Sequence, residues 1–162
     1  MDGVLADFNR GVKELCNIDP LDQANASEKA DDAMWAAIRD TPHFYDRLEF
    51  MPGAKEMFDY TYNHLGDDCQ ILSAVPKAKR GIVTAGDDKI SWVHRLLGEN
   101  VKVNIVYKEQ KKDFCMGNDC ILVDDLASNI TAWEGNGGTG ILHIYAKTTL
   151  TIIREMVAKY KN

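Results

Sequence analysis

No stretch of the 162-residue chain approaches the roughly 20 consecutive apolar residues of a membrane span, and nothing in it resembles a signal peptide. The expected location is therefore the cytoplasm, with no membrane partner. A basic excess is also missing. The net charge of −6 argues against nucleic-acid polymers, whose binding needs a basic face to release counterions. A small anionic substrate stays open, because a bound divalent cation reverses the local field. The four cysteines, Cys16, Cys69, Cys115 and Cys120, form no CxxC pair and have no histidine at zinc-finger spacing. They read as reduced thiols. Low-complexity tracts and fixed-period repeats are absent as well. What remains, 45% hydrophobic and 27% charged, is the composition of one globular domain with room for a small insertion.

From about residue 50 onward, helix and strand patterns alternate. Pro52-Gly53 opens a helix with a stripe at Ala54, Met57, Phe58, Thr61 and Leu65, and Gly66 closes it. Cys69 to Ala74 is a short apolar strand stopped by Pro76. A loop with Lys77, Lys79 and Arg80 follows and reads as a solvated basic turn. A further helix runs from about Asp87, a candidate cap, to Leu97 before Gly98. Val101–Tyr107, Cys120–Val123 and Gly140–Tyr145 are strand-like, with Gly137-Gly138 as a turn before the last. A helical stripe at Ile152, Ile153, Met156, Val157 and Tyr160 ends the chain. Such alternation, with little room for tight hairpins, predicts an α/β fold with a parallel sheet covered by helices.

Residues 9–50 break that rhythm. They read as helices over Gly11–Cys16 and Ser27–Ile38, with Ser27 as a cap and acids from Glu28 to Asp32 in the first turn. An insertion straight after the first loop sits over the carboxyl edge of the sheet, where open α/β folds bind ligands. The expected division is a core of residues 1–8 and 51–162 and a helical cap of residues 9–50.

Asp124-Asp125 directly follow the apolar strand Ile121-Leu122-Val123. Adjacent carboxylates at a buried strand end are costly unless a cation or donors neutralise them, and hard oxygen ligands suit Mg²⁺. Standing alone, the pair reads equally well as a turn. It does not stand alone. Asp2-Gly3 opens the chain, Ser73 ends a second strand, and lysines precede the Asp-Asp strand. In a parallel sheet these strand ends share one edge, so acids, a hydroxyl and an ammonium converge in the manner of a phosphoryl-transfer site.

The stretches DGVLADF, ILSA, YKEQKKDFC and ILVDDLASN, in that order, resemble motifs I to IV of the haloacid dehalogenase superfamily of phosphatases. HFYDRLEFMPGA and WEGNGGTGILH extend the resemblance to the 5′(3′)-deoxyribonucleotidase branch, including small phage and bacterial relatives. The resemblance covers nearly the whole chain. It implies a Rossmann-like core, a helical cap, Mg²⁺, and hydrolysis of a nucleoside monophosphate through an aspartyl-phosphate intermediate. By the same resemblance, Asp2 is the general acid/base and contributes its carbonyl to the metal. Ser73 and the neighbouring Ala74 hold the phosphate. Lys111 is the motif III lysine, with Lys112 as a close rival. Asp124 binds the metal and Asp125 steadies its waters. Phe8, Trp35, Phe44 and Tyr45 are candidates for stacking a base, though most aromatics at such a junction are simply core.

One element of the pattern is missing. The resembling motif reads DxDG, with the nucleophile two residues before the second acid. Counting back from Asp2 places it at residue 0, ahead of Met1. The expectation is that Met1 is an internal methionine of an Asp-Met-Asp-Gly motif. Asp7 is out of position and reads as structural. The alternatives are a phosphatase for another small monoester and an inactive phosphate- or nucleotide-binding protein. A receiver-like domain suits the cap-like insertion poorly. Leu126 stands where the branch often has a basic residue. None of the histidines shows metal spacing, and Trp92 and Trp133 read as packing residues.

Overall fold

A computed structural model describes residues 1–18 and 28–160, so the expected cap at Ser27 lies outside the described residues. The order of elements is α1 (Phe8–Cys16), α2 (Glu28–Arg39), α3 (Ala54–Leu65), β1 (Ile71–Ala74), α4 (Ala85–Leu96), β2 (Val103–Val106), β3 (Ile121–Asp124), α5 (Ala127–Gly135), β4 (Thr139–Leu142) and α6 (Ala146–Tyr160). Short 3₁₀ turns at Tyr45–Arg47, Ala78–Arg80 and Lys108–Phe114 join them. Among the described residues no helix is long and apolar enough to cross a membrane.

Local chemistry accounts for the helix ends. Asp7 caps α1: its side chain accepts from the Arg10 N–H at 3.0 Å, and Asn17, in the left-handed region, closes the helix. Glycines bound α3 at both ends, with Gly53 before it and Gly66 after it. The start of α4 differs from the sequence expectation. Thr84 precedes its first residue, Ala85, so Asp87 and Asp88 sit inside the first turn rather than at the cap. Acids there favour the positive end of the helix dipole as well as a cap would.

The strands form two parallel pairs rather than one continuous sheet. β1 runs beside β2, with Ile71 opposite Val103 and Ala74 opposite Val106. β3 runs beside β4, with Ile121 opposite Thr139 and Asp124 opposite Leu142. No described strand bridges β1 and β3, so each keeps one edge without a ladder partner. The opening segment makes only isolated bridges, Asp2 with Ala6 and Ala6 with Phe50. Its turn is tied to the Met1 carbonyl, which accepts from the N–H groups of Val4, Leu5 and Ala6.

The main core gathers Val4, Leu5 and Ala6 with Met34 and Ile38 of α2, Phe44, Tyr45 and Leu48, and Trp92 and Val93 of α4. Trp92 is fully buried and donates its indole N–H to the Leu48 carbonyl at 2.8 Å. Gly11 is needed for this closeness: a Cβ there would stand 2.2 Å from the Leu48 side chain. A smaller cluster of Leu122, Ile130 and Trp133 packs α5 onto β3.

Arg80 corrects the expectation of a solvated basic loop after β1. Its side chain is only 16% exposed and pairs with Asp31 at 2.6 Å and with Asp32, both on α2. Its guanidinium also lies 5.6 Å from the Trp35 ring centre. The loop after β1 is thereby tied to the helix expected to form the cap.

Candidate functional site

Two lysine–aspartate pairs meet at the carboxyl ends of β1 and β3. In the first, Lys111, on the 3₁₀ turn Lys108–Phe114, places its Nζ 2.7 Å from Asp124 Oδ2. The side chains are 11% and 4% exposed. The other carboxylate oxygen of Asp124 accepts from the Leu126 N–H and from Asn129 Nδ2, each at 2.9 Å. Burial alone would raise the Asp124 pKa. The Lys111 ammonium and these hydrogen bonds more than offset it and hold the carboxyl below its ordinary range. Lys112, the rival in sequence, is exposed and uses its carbonyl to accept from Asn136.

The second pair was not foreseen. Lys89 is 1% exposed, and its Nζ lies 2.5 Å from Asp2 Oδ2, 2.6 Å from the Ala74 carbonyl and 3.2 Å from Ser73 Oγ. The ring of Tyr45 covers it, with the ammonium 4.5 Å from the ring centre. A signal for Lys89 does exist in the sequence. It falls on the stripe of α4 that buries Ala85, Trp92 and Val93, four residues after the first and three and four before the others. A lysine on a core stripe needs acceptors waiting for it.

The two pairs lie close to one another. The backbone nitrogen of Met1 is buried between them, within reach of the charges of Asp2, Lys111, Lys89 and Asp124. Asp125 completes the edge. Its carboxylate lies over Gly3, where a Cβ would stand 2.1 Å from Asp125 Oδ2, and the φ of +72° there also favours glycine. Burial, then the neighbouring Asp124, raises the Asp125 pKa.

One acceptor in this group is unused. Asp2 Oδ1 is buried and has no hydrogen-bond partner among the described residues. An orphaned carboxylate oxygen beside two further acids suits a hard cation, and Mg²⁺ typically takes one or two carboxylates and keeps several waters. A closed cage is not preformed: among the described residues no three acid, histidine or cysteine side chains converge on one point. Asp2, Asp124 and Asp125 are the residues that would hold such an ion, which would supply a Lewis acid there.

The four candidate stacking residues come together, but mostly with one another. Phe8 lies 5.7 Å from Phe44 and 6.2 Å from Tyr45 between ring centres, and Trp35 lies 6.3 Å from Phe8. Phe44 and Tyr45 are 1% and 2% exposed, so as placed they are core rings, while Phe8 and Trp35 keep some surface. Burial raises the Tyr45 phenol well above its ordinary pKa, with Asp2 and Asp88 adding to the effect. Near this cluster Asp88 is buried and accepts from Thr84 Oγ1 at 3.0 Å, and its other oxygen lies 2.8 Å from His43 Nδ1. That contact raises the His43 pKa.

Comparison with protein-family models and with curated protein sequences gives no match. The chemistry of the edge itself is therefore the guide to function. It combines three carboxylates, two ammonium groups and a buried hydroxyl.

Proposed function

We propose that the chain belongs to a Mg²⁺-dependent phosphomonoester hydrolase of the haloacid dehalogenase kind, with a Rossmann-like core and a helical cap. Its substrate would be a deoxyribonucleoside 5′-monophosphate. The observation that carries this reading is the meeting of Lys89–Asp2 and Lys111–Asp124 beside Ser73, with Asp2 Oδ1 left unpartnered. Charge supports it. Asp2, Asp124 and Asp125 against Lys89 and Lys111 leave one net negative charge. Mg²⁺ and a phosphomonoester dianion enter together without changing that sum, whereas either alone adds two charges to a largely buried site.

In this reading Ser73 and Lys111 bind the phosphate oxygens, and Asp2 protonates the departing ester oxygen and later takes a proton from water. The resembling mechanism also needs a carboxylate that attacks phosphorus, forming an acyl phosphate as the P–O ester bond breaks. In the resembling motif that carboxylate stands two positions before the acid that Asp2 matches. The four cysteines are free thiols, which suits the reducing cytoplasm.

A second reading is a phosphate- or nucleotide-binding protein without turnover. One observation favours it: Asp7, the other acid of the opening segment, caps α1 and does not join the edge. The test is phosphate release from a panel of deoxyribo- and ribonucleoside monophosphates and a sugar phosphate, with Mg²⁺ and with a chelator. Metal-dependent turnover of deoxyribonucleotides supports the hydrolase. Binding without turnover supports the second reading, and neither outcome leaves the edge a purely structural ion-pair cluster.

A further inference from the structure

We infer that Cys115 and Cys120 form a redox modification site, a thiol pair that closes to a disulfide by exchange with a small-molecule disulfide such as oxidised glutathione. The two cysteines bracket the short loop Met116-Gly117-Asn118-Asp119, and that loop brings both sulfurs to the same stretch of backbone. Cys120 Sγ accepts from the Met116 N–H at 3.3 Å, and Cys115 Sγ lies 3.7 Å from the Gly117 carbonyl oxygen. The same oxygen accepts from the Cys120 N–H at 3.1 Å. Met116 N is two bonds from Cys115 Cα, so the Cys120 sulfur stands within about 6 Å of that atom. Rotation of the two side chains, with a small shift of the loop, brings such a pair to the Cβ separation of about 4 Å that a bridge needs.

The loop is held at its ends and open at its tip. The Cys115 N–H donates to the Lys112 carbonyl at 3.1 Å, and the Cys120 carbonyl accepts from the Thr139 N–H at 2.9 Å and the Trp133 indole at 3.1 Å. Met116, by contrast, is 87% exposed, and a Cβ at Gly117 would meet no described atom within 4 Å. Both cysteines are half-buried, which leaves them within reach of a small reagent. The other two thiols lack this arrangement. Cys16 lies beside Thr41 Oγ1, and Cys69 precedes β1, where burial pushes its pKa up to about 11. In the first step one thiolate of the pair attacks the small disulfide, bonds to one half and expels the other. The second thiolate then attacks the protein sulfur of that mixed disulfide and expels the remaining half. Both cysteines are oxidised, the small disulfide is reduced to two thiols, and the two thiol protons end on them. Cys115 directly follows the turn that carries Lys111, and Cys120 directly precedes the strand that carries Asp124. The bridge thus ties together the two elements that make the Lys111–Asp124 pair, whether or not the edge binds phosphate.

The experiment treats the native chain with oxidised glutathione, alkylates the remaining thiols and maps the products by mass spectrometry after cleavage at Asp119, between the two cysteines. Wild type should lose two hydrogens and show Cys115 linked to Cys120, with Cys16 and Cys69 alkylated, and reduced glutathione should reverse the link. Cys115→Ser and Cys120→Ser each lack the second thiol, so each should stop at one glutathione on the cysteine that remains. In urea the backbone no longer holds the sulfurs together, and the ratio of bridge to glutathione adducts should fall about fivefold or more. Glutathione on both cysteines of the native chain, a bridge that engages Cys16 or Cys69, or no reaction at the pair would overturn the inference. A ratio unchanged in urea would overturn it as well, because closeness in sequence would then account for the bridge without the fold.

Discussion

Replacing Lys111 by Met strands a carboxylate, and the size of the effect follows from what Asp124 keeps. Asp124 loses the ammonium at 2.7 Å on Oδ2 but retains the Leu126 N–H and Asn129 on Oδ1. Breaking a buried pair typically costs 3–5 kcal/mol, and the two remaining donors place this case at the lower end, about 3 kcal/mol. Against a total stability on the order of 5–15 kcal/mol the variant still folds. With a urea slope of about 2 kcal/mol per molar, the midpoint should fall by about 1.5 M near neutral pH in metal-free buffer. The pH dependence is the sharper part. In the wild type the folded pKa of Asp124 lies below the ordinary 3.8. Its stabilisation is therefore fully present above that ordinary value and is lost as pH falls through the folded pKa. Without Lys111, burial is no longer outweighed and the folded pKa rises. The penalty of the variant is then greatest at neutral pH and shrinks as acid protonates the stranded carboxylate. Urea titrations at about pH 7 and about pH 4 read both features. A loss that stays constant across that range, or one below about 1 kcal/mol at neutral pH, would refute the claim that this pair is a buried, interdependent unit.

Other perturbations follow the same reasoning. Gly3→Ala forces a side chain into a backbone at φ +72° and against Asp125; the strain alone costs about 1–2 kcal/mol, read as a lowered thermal midpoint. The His43 pKa is raised by its contact with Asp88. The stabilisation from that contact is therefore complete below the ordinary 6.5 and is lost as pH rises through the folded value. An NMR titration of His43 should return to the ordinary value in Asp88→Asn. Burial pushes the Cys69 thiol up to about 11, so it should alkylate more slowly at mildly alkaline pH than a thiol of ordinary pKa in the unfolded chain, as followed by mass spectrometry.

The helices and strands after residue 50 are legible in the sequence because their stripes and their bounding glycines are local features, as Gly53 and Gly66 around α3 show. Strand pairing is not local. A run such as Ile71–Ala74 carries no mark of which edges find partners, and so the division into β1–β2 and β3–β4 emerges only in three dimensions. The acids of the edge were visible because Asp124-Asp125 interrupt an apolar strand end. Lys89 escaped because a charged residue is ordinarily assigned to the solvent side of a helix, and its acceptors, Asp2, Ser73 and Ala74, lie far from it in sequence. Arg80 was misplaced for the same reason, its partners Asp31 and Asp32 being on α2.

The most direct measurement is calorimetric binding of a deoxyribonucleoside 5′-monophosphate and of the matching nucleoside, each with Mg²⁺ and with a chelator. A phosphate site built from Lys89–Asp2, Lys111–Asp124 and Ser73 predicts saturable binding of the nucleotide that Mg²⁺ strengthens, inorganic phosphate displaces and the nucleoside does not share. Equal affinity for nucleotide and nucleoside, or no binding by a folded protein with Mg²⁺ present, would contradict it.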